Sequence, residues 1–160
     1  KKDNANTSTN VILNIDFASL FADYANVKLP SSFQGKSFRE NLKGNSPKDW
    51  RKTAYYRYWQ HYPVRPGHFG IRNQRYKLIF YYGQALDKPG TIAEATAPVW
   101  EFFDLEKDPK EMYNAYADPA YQSVITSMKQ ALIELRTELD DTDQGDPIMQ
   151  TILNKHLQLD

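Results

Sequence analysis

The sequence predicts an α+β domain in which an antiparallel sheet is covered on one face by a long helix. The first observation behind this prediction is that β-rich segments with alternating side chains fill the middle of the chain. The second is that an apolar stripe with helical spacing runs along the last third. A helical segment also precedes the strands. With 160 residues, the chain is long enough to bury a modest core.

The N-terminal part predicts a polar lead-in followed by two helices. Residues 1–10 are rich in Asn, Thr and Ser, which is typical of a disordered or linking segment. Asp16 suits the N-cap of the first helix, and Asn26 can end it in a left-handed conformation. The apolar stripe of this helix consists of Phe17, Leu20, Phe21 and Tyr24. A second short helix is expected over residues 37–42, stopping at Gly44.

Residues 53–59 predict the first strand, because Tyr and Trp are favoured in strands. Alternation places Tyr56 and Tyr58 on one face and Arg57 on the other. A loop containing two prolines and a glycine follows at 62–67. The aromatic run could stack on bases or sugars, but the balanced charge of the chain does not support a nucleic-acid track. We therefore interpret the run mainly as core and interface.

Residues 68–82 predict a hairpin, and residues 99–104 predict a further strand. Asn73-Gln74 is the expected hairpin turn, since Asn tolerates the positive φ of a two-residue turn. Between the hairpin and the last strand lies a polar excursion with a Pro-Gly turn signal.

Asp118-Pro119 predicts the start of the long helix, as an N-cap and first-turn pair. The apolar stripe of the helix is wide enough to cover a sheet. It consists of Tyr121, Val124, Ile125, Met128, Leu132, Leu135 and Leu139. The acidic run at 140–146 is interpreted as a solvated turn, because it lacks the closing Glu of an EF-hand loop. Pro147 then opens a short terminal helix.

Composition excludes several classes of function. The 20 basic and 20 acidic residues balance, which argues against an electrostatic nucleic-acid binder. The absence of cysteine excludes disulfides, thiolate metal sites and a cysteine nucleophile. No apolar run approaches the length of a membrane span, and the start has no signal-peptide core. If the chain is a piece of a longer protein, an export signal is expected upstream.

Two segments carry a resemblance to a known family. HFGIRNQRYKLI (68–79) and FFDLEKDPKEMYN (102–114) resemble the C-terminal region of bacterial sulfatases related to alkaline phosphatase. FQGKSFRENLKG (33–44) and the long helix (118–143) are similar to the flanking parts of that region. The similarity covers nearly all of 11–143. It implies the same α+β fold, with a roughly four-stranded antiparallel sheet and a packed helix.

The resemblance implies that this chain is the C-terminal part of a sulfatase that acts on sulfated glycans. It would close the substrate cleft and help select the substrate. The family cleaves sulfate esters with calcium and with a formylglycine made in a C/S-x-P-x-R motif, which is absent from this sequence. Both groups are expected in a separate catalytic domain, so we assign no catalytic residue, metal ligand or cofactor here. The chain alone is expected to be inactive.

The resemblance also implies an organisation and a setting. Residues 11–50 would be a helical segment at the junction with the catalytic domain, and 51–143 the C-terminal subdomain. Residues 1–10 would be the lead-in and 144–160 a terminal helix. The expected partners are the catalytic domain and a sulfated carbohydrate, and the expected location is periplasmic or secreted.

Three residues are predicted substrate contacts: His61, Arg65 and His68. His68 sits where a proline- and glycine-rich loop enters a strand, a position that often faces a cleft. The resemblance implies that a histidine here can hydrogen-bond a sugar hydroxyl. The alternative is a structural histidine that holds the loop 67–70 in shape. His61 and Arg65 share the loop and could contact an anionic glycan, because a guanidinium pairs two oxygens at once.

Two alternative functions stay open. The chain could be a stand-alone module that binds carbohydrate or protein, or a purely structural domain that packs against a neighbour. The basic residues Arg72, Arg75 and Lys77 suggest a sulfate clamp, but their strand spacing favours a solvated face or pairing with Glu101 and Asp104.

Overall fold

The computed structural model describes residues 8–86 and 88–158. The chain divides into two compact units, Lys1–Ala54 (the N-terminal unit) and Tyr55–Asp160 (the C-terminal unit). Residues 1–7 of the predicted lead-in lie outside the described part. The helices are α1 (Asp16–Tyr24), α2 (Arg39–Leu42), α3 (Gln122–Glu138) and α4 (Pro147–His156), with a 3-10 turn at Pro119–Tyr121. The strands are β1 (Ala54–Tyr58), β2 (His68–Arg72), β3 (Tyr76–Tyr81) and β4 (Val99–Asp104).

The predicted α+β class is confirmed by a four-stranded sheet with the order β1-β2-β3-β4. Strands β2 and β3 pair antiparallel, with His68 opposite Tyr81, and β3 and β4 also pair antiparallel. Side chains alternate between two faces. We call the side with Phe69 and Phe80 the first face and the side with His68 and Tyr81 the second face.

The core of the C-terminal unit lies on the first face. It consists of Phe69, Ile71, Leu78, Phe80, Tyr82, Trp100, Phe102, Ile125, Met128, Leu132, Met149 and Leu153. Each fully buried aliphatic or Phe side chain contributes about 1.5–3 kcal/mol relative to an exposed one. The prediction that the long helix covers the sheet is confirmed by Ile125, Met128 and Leu132 of α3. Helix α4 adds Met149 and Leu153 to the same core.

The hairpin turn is centred one residue later than predicted, at Gln74-Arg75. The Asn73 N–H donates to the Tyr76 carbonyl at 2.9 Å, which closes the turn. Asn73 does not adopt positive φ. Instead, its side-chain oxygen accepts from the N–H groups of Arg75 at 2.9 Å and Tyr76 at 2.6 Å. The residue therefore stabilises the turn through its amide rather than through its backbone conformation.

Asp16 is not the N-cap of α1, because the cap position belongs to Ile15. The Asp16 carboxylate is buried in the first turn and accepts from the N–H groups of Leu13 at 2.7 Å and Lys36 at 2.9 Å. It also pairs with Arg51, whose Nη2 lies 2.9 Å from Oδ1. Burial raises the pKa of Asp16, but Arg51 and the backbone donors outweigh it and lower the pKa overall.

The apolar stripe of α1 is divided between the core and the surface. Leu20 is buried with Phe38 and Trp50 in the core of the N-terminal unit. In contrast, Phe17, Phe21 and Tyr24 are 45%, 64% and 56% exposed. The end of α1 is as predicted, since Asn26 has a φ of 55°.

Candidate functional site

His68 begins β2 on the second face and has three tyrosine rings around it. Its ring centroid lies 5.4 Å from that of Tyr58, with the planes 26° apart. The centroids of Tyr81 and Tyr56 lie at 4.9 Å and 6.0 Å. Tyr56 and Tyr58 reach the histidine because they alternate on β1, and Tyr81 because it pairs with His68 in the hairpin. We call these four residues the tyrosine–histidine cluster.

The hydrogen bond of His68 determines which ring nitrogen carries the proton. Nδ1 lies 2.8 Å from the carbonyl oxygen of Pro66, and a carbonyl can only accept. Nδ1 therefore carries a hydrogen, and Nε2 of the neutral ring is an acceptor. Nε2 has no partner among the residues that the structure describes. The partly buried ring thus offers one nitrogen to a ligand.

Arg65 also contacts the cluster, through the ring of Tyr58. Its guanidinium carbon lies 4.9 Å from the Tyr58 ring centroid. The backbone of Arg65 is held by paired hydrogen bonds to Tyr62, at 2.9 Å and 3.1 Å. The side chain is exposed and forms no ion pair within 8–86 and 88–158. His68 and Arg65, two of the three predicted contacts, therefore meet at one tyrosine.

His61 is used differently, inside the loop. It is fully buried, and its Nδ1 accepts from the N–H of Gly67 at 3.1 Å. Its Nε2 lies 2.9 Å from the carbonyl oxygen of Glu94, so Nε2 carries the hydrogen. Both ring nitrogens are thus bound to backbone, and the ring is neutral in this arrangement. The substrate contact of His61 stays a prediction, for which this geometry offers no free ring nitrogen.

Gly67 fixes the entry of the loop into β2. Its carbonyl accepts from the N–H groups of Tyr82 at 3.0 Å and Gly83 at 3.2 Å. A Cβ at this position would lie 2.6 Å from the Tyr82 ring. The Tyr82 hydroxyl in turn donates to the Tyr58 carbonyl at 2.9 Å. These contacts join the loop to β1 and set His68 beside Tyr58.

The rest of the second face combines two buried apolar residues, Ile79 and Phe103, with polar side chains that are largely paired. The Tyr81 hydroxyl donates to Glu101 at 3.0 Å, and Lys77 pairs with Glu111 at 2.5 Å. Among the described residues, Glu101 forms no ion pair with Arg72, Arg75 or Lys77, so the pairing that the sequence suggested for it is not found. Burial raises the pKa of Tyr81 and of Tyr56, so both phenols stay protonated and neutral near pH 7.

The predicted pairing of Asp104 is confirmed. Arg75 donates to its two oxygens at 2.9 Å and 3.1 Å. The Tyr121 hydroxyl adds a third bond at 3.0 Å. Hydrogen bonding from Arg75 lowers the pKa of Asp104 to about 2. The pair of Asp104 and Arg75 therefore stabilises the fold and is not part of the second face.

The described residues do not fit a calcium site. No three His, Cys, Asp or Glu side chains among them are grouped so as to hold a metal ion. The acidic run after α3 is not the solvated turn that the sequence predicts, because Asp141 and Asp143 form ion pairs with Arg57.

No described helix is long and apolar enough to cross a membrane.

Tyr56, Tyr58 and Tyr81 are not among the site residues predicted from the sequence. The information that could have found them is the alternation of β1 combined with the register of the hairpin. That combination also requires β1 to lie beside β2, which is a property of the sheet order.

Sequence comparisons identify sulfatase relatives. The family model for the C-terminal part of N-sulphoglucosamine sulphohydrolase matches residues 1–138. An N-acetylglucosamine-6-O-sulfatase of Bacteroides thetaiotaomicron is 36% identical over 154 residues, covering 93% of this chain and 25% of that protein. An uncharacterised protein of Haemophilus influenzae is 29% identical over 136 residues, covering 81% and 57%. The chain thus spans about a quarter of the length of the curated sulfatase.

Solved structures give the same relationship. One solved structure shows a protein in complex with its substrate, D-glucosamine-2-N,6-O-disulfate. Its sequence is 36% identical to this chain, and the two folds superpose with a TM-score of 0.65. The match covers 82% of this chain and 25% of that one. A 2-O GAG sulfatase is 21% identical with a TM-score of 0.60, covering 79% and 25%. A phosphonate monoester hydrolase of Agrobacterium radiobacter is 20% identical with a TM-score of 0.56, covering 77% and 24%. The last two are similar in fold alone.

Proposed function

Because the chain belongs to the family of N-sulphoglucosamine sulphohydrolase C-terminal domains, we propose that it forms one wall of the substrate cleft of a sulfatase acting on sulfated glycans. Catalytic groups would come from outside the chain, since the sequence has no C/S-x-P-x-R motif. The observation that carries the proposal is that His68, held by tyrosine rings, bonds Pro66 through Nδ1 and leaves Nε2 without a partner in the described part of the chain. The proposed role is selection of the substrate rather than cleavage of the sulfate.

His68 is the proposed contact to a sugar hydroxyl. With its proton on Nδ1, the neutral ring accepts a hydrogen bond at Nε2. The tyrosine rings limit the motion of the imidazole, which reduces the entropy lost on binding. A sugar hydroxyl that loses water must find such an acceptor, because an unmade buried hydrogen bond costs about 1–3 kcal/mol.

Arg65 is the proposed contact to a sulfate. Its guanidinium carbon lies 4.9 Å from the Tyr58 ring centroid, and the exposed N–H groups can pair two oxygens of one anion. His61 would act indirectly, by holding Gly67 and hence the direction in which His68 leaves the loop.

The proposal is tested with D-glucosamine-2-N,6-O-disulfate, the sugar bound in the related structure. We expect titration of the chain with this sugar to shift the NMR signals of His68, Tyr58 and Arg65. Replacement His68→Ala should raise the dissociation constant about tenfold, the equivalent of one net hydrogen bond. The unsulfated sugar should bind more weakly and lose the shift at Arg65.

His156→Ala is the matched control, since His156 lies on α4 and its ring is 6.0 Å from Phe80 of the first face. It should leave the affinity unchanged. Equal affinity of the wild type and His68→Ala would contradict the proposal and favour a purely structural domain.

The exposed aromatic residues of α1 are proposed to pack against the catalytic domain of the sulfatase. Phe17, Phe21 and Tyr24 remain 45%, 64% and 56% exposed, although Phe17 also packs edge-on against Phe38 and Arg39 lies over the Tyr24 ring. Aromatic residues at this exposure are typical of contact surfaces between domains.

The relationship to the sulfatase family also supports a periplasmic or secreted location, which fractionation of the producing cells would test.

A further inference from the structure

A buried ion cluster joins β1 to the segment after α3. Arg57 donates to Asp143 through Nη1 at 3.0 Å and Nη2 at 2.8 Å, and Nη1 also bonds Asp141. Arg136 donates to Asp143 at 2.6 Å, and the Tyr55 hydroxyl donates to Asp141. The side chains of Arg57, Arg136 and Asp143 are 3%, 4% and 9% exposed. We call Arg57, Arg136, Asp141 and Asp143 the arginine–aspartate cluster.

The arginine–aspartate cluster is an energetically unfavourable means of stabilising a fold. Buried charges lose their hydration, and a well-packed apolar replacement is often at least as stable. Both Arg57 and Arg136 also keep a buried Nε without a hydrogen-bond partner among the described residues. Asp143 also adopts a φ of 57°, a left-handed backbone conformation that is uncommon for residues other than glycine and that Asp takes more readily than most. The arrangement therefore points to a requirement for geometry beyond general stability.

The geometry that the cluster controls is that of β1. This strand is at the edge of the sheet, so β2 is its strand neighbour in the sheet order. On the first face, Tyr55 and Arg57 are held by the cluster. On the second face, Tyr56 and Tyr58 contact His68. One short strand thus connects the buried charges to the tyrosine–histidine cluster.

We propose that Asp141 and Asp143 are positioning residues for the site: through Arg57 and Tyr55 they hold β1 so that Tyr58 stays stacked on His68. An edge strand of five residues is otherwise prone to local opening. The consequence for sugar binding rests on the proposed function, whereas the consequence for the Tyr58–His68 contact does not.

The test compares Asp143→Asn with the matched control Asp140→Asn. Both positions have positive φ, which Asn tolerates, but the side chain of Asp140 is exposed and forms no ion pair in the described chain. In Asp143→Asn we expect loss of the Tyr58–His68 ring NOEs and about tenfold faster amide exchange in β1, with β3 and β4 unchanged. The affinity for D-glucosamine-2-N,6-O-disulfate should fall about fivefold. Asp140→Asn should match the wild type in all three measurements.

Tyr55→Phe provides a second, milder variant in case Asp143→Asn does not fold. It removes the hydroxyl that bonds Asp141 and should change the same signals in the same direction. The inference is overturned if the ring NOEs persist while exchange accelerates equally in all strands, because the cluster would then contribute to stability alone. If the ring contact and exchange respond but the wild type does not bind the sugar, the inference holds and the proposed function fails.

Discussion

Gly70 shows how one residue shapes the second face. A Cβ at this position would lie 2.5 Å from the Leu78 carbonyl oxygen and 2.9 Å from the Tyr56 hydroxyl. The first neighbour is backbone of the paired strand and cannot move aside without disturbing the sheet. Gly70→Ala should therefore destabilise the chain by about 1–3 kcal/mol in urea unfolding and displace Tyr56. Gly145→Ala is the control, because nothing lies within 4 Å of its Cβ; similar losses in both variants would disprove the close-approach explanation.

The two histidines of the site loop mark the limit of prediction from sequence at the residue level. The sequence places His68 where the loop enters a strand and His61 in that loop, and the structure agrees on both positions. What separates them is the partner of each ring nitrogen, and for His61 that partner is the carbonyl of Glu94, 33 positions away. Asp141 shows the same limit, since Arg57 is 84 positions away. A local pattern contains no information about such partners.

At the level of elements, periodicity predicts most of the fold. The alternation of the hairpin and the stripe of α3 each correspond to a buried face, because both patterns record which side of an element meets the core. The N-cap prediction for Asp16 fails because Lys36 and Arg51 attract its carboxylate into the interior. A capping preference contributes about 1 kcal/mol, and tertiary bonds of this kind outweigh it.

The buried and the exposed side of the α1 stripe should contribute differently to stability, and mutations can test the two sides separately. The double replacement Phe21→Ser and Tyr24→Ser should change the unfolding free energy of the chain by less than about 0.5 kcal/mol, as surface changes do. Leu20→Ala is the matched change on the buried side and should cost about 2–5 kcal/mol. Amide exchange across α1 measures both.

The same double variant should weaken co-purification with a separately produced sulfatase catalytic domain. If it instead destabilises the chain as strongly as Leu20→Ala, the exposed aromatics belong to the core of this unit and the docking proposal is wrong.

For the whole C-terminal unit, the sheet separates two tasks. All residues of the main core lie on or against the first face, including those of α3 and α4. The second face carries the tyrosine–histidine cluster and paired charges beside the buried Ile79 and Phe103. A domain built in this way places most of its core on one side and a fixed aromatic and polar cluster on the other, an arrangement that fits the proposed cleft wall.

The free energy of unfolding of this unit should depend on pH through the ionisation of Asp104. Arg75 lowers the folded-state pKa of Asp104 to about 2, below its ordinary value of 3.8. A lowered folded-state pKa means that the ionised carboxylate favours the folded state, so its stabilisation is complete above the ordinary value and is lost as the pH falls through about 2. We expect the unfolding free energy to decline between about pH 4 and pH 2, and Asp104→Asn to reduce that decline while lowering stability near pH 7. Urea unfolding at several pH values measures this, with Asp140→Asn as the exposed control. An unchanged slope in Asp104→Asn would mean that other carboxylates cause the acid sensitivity.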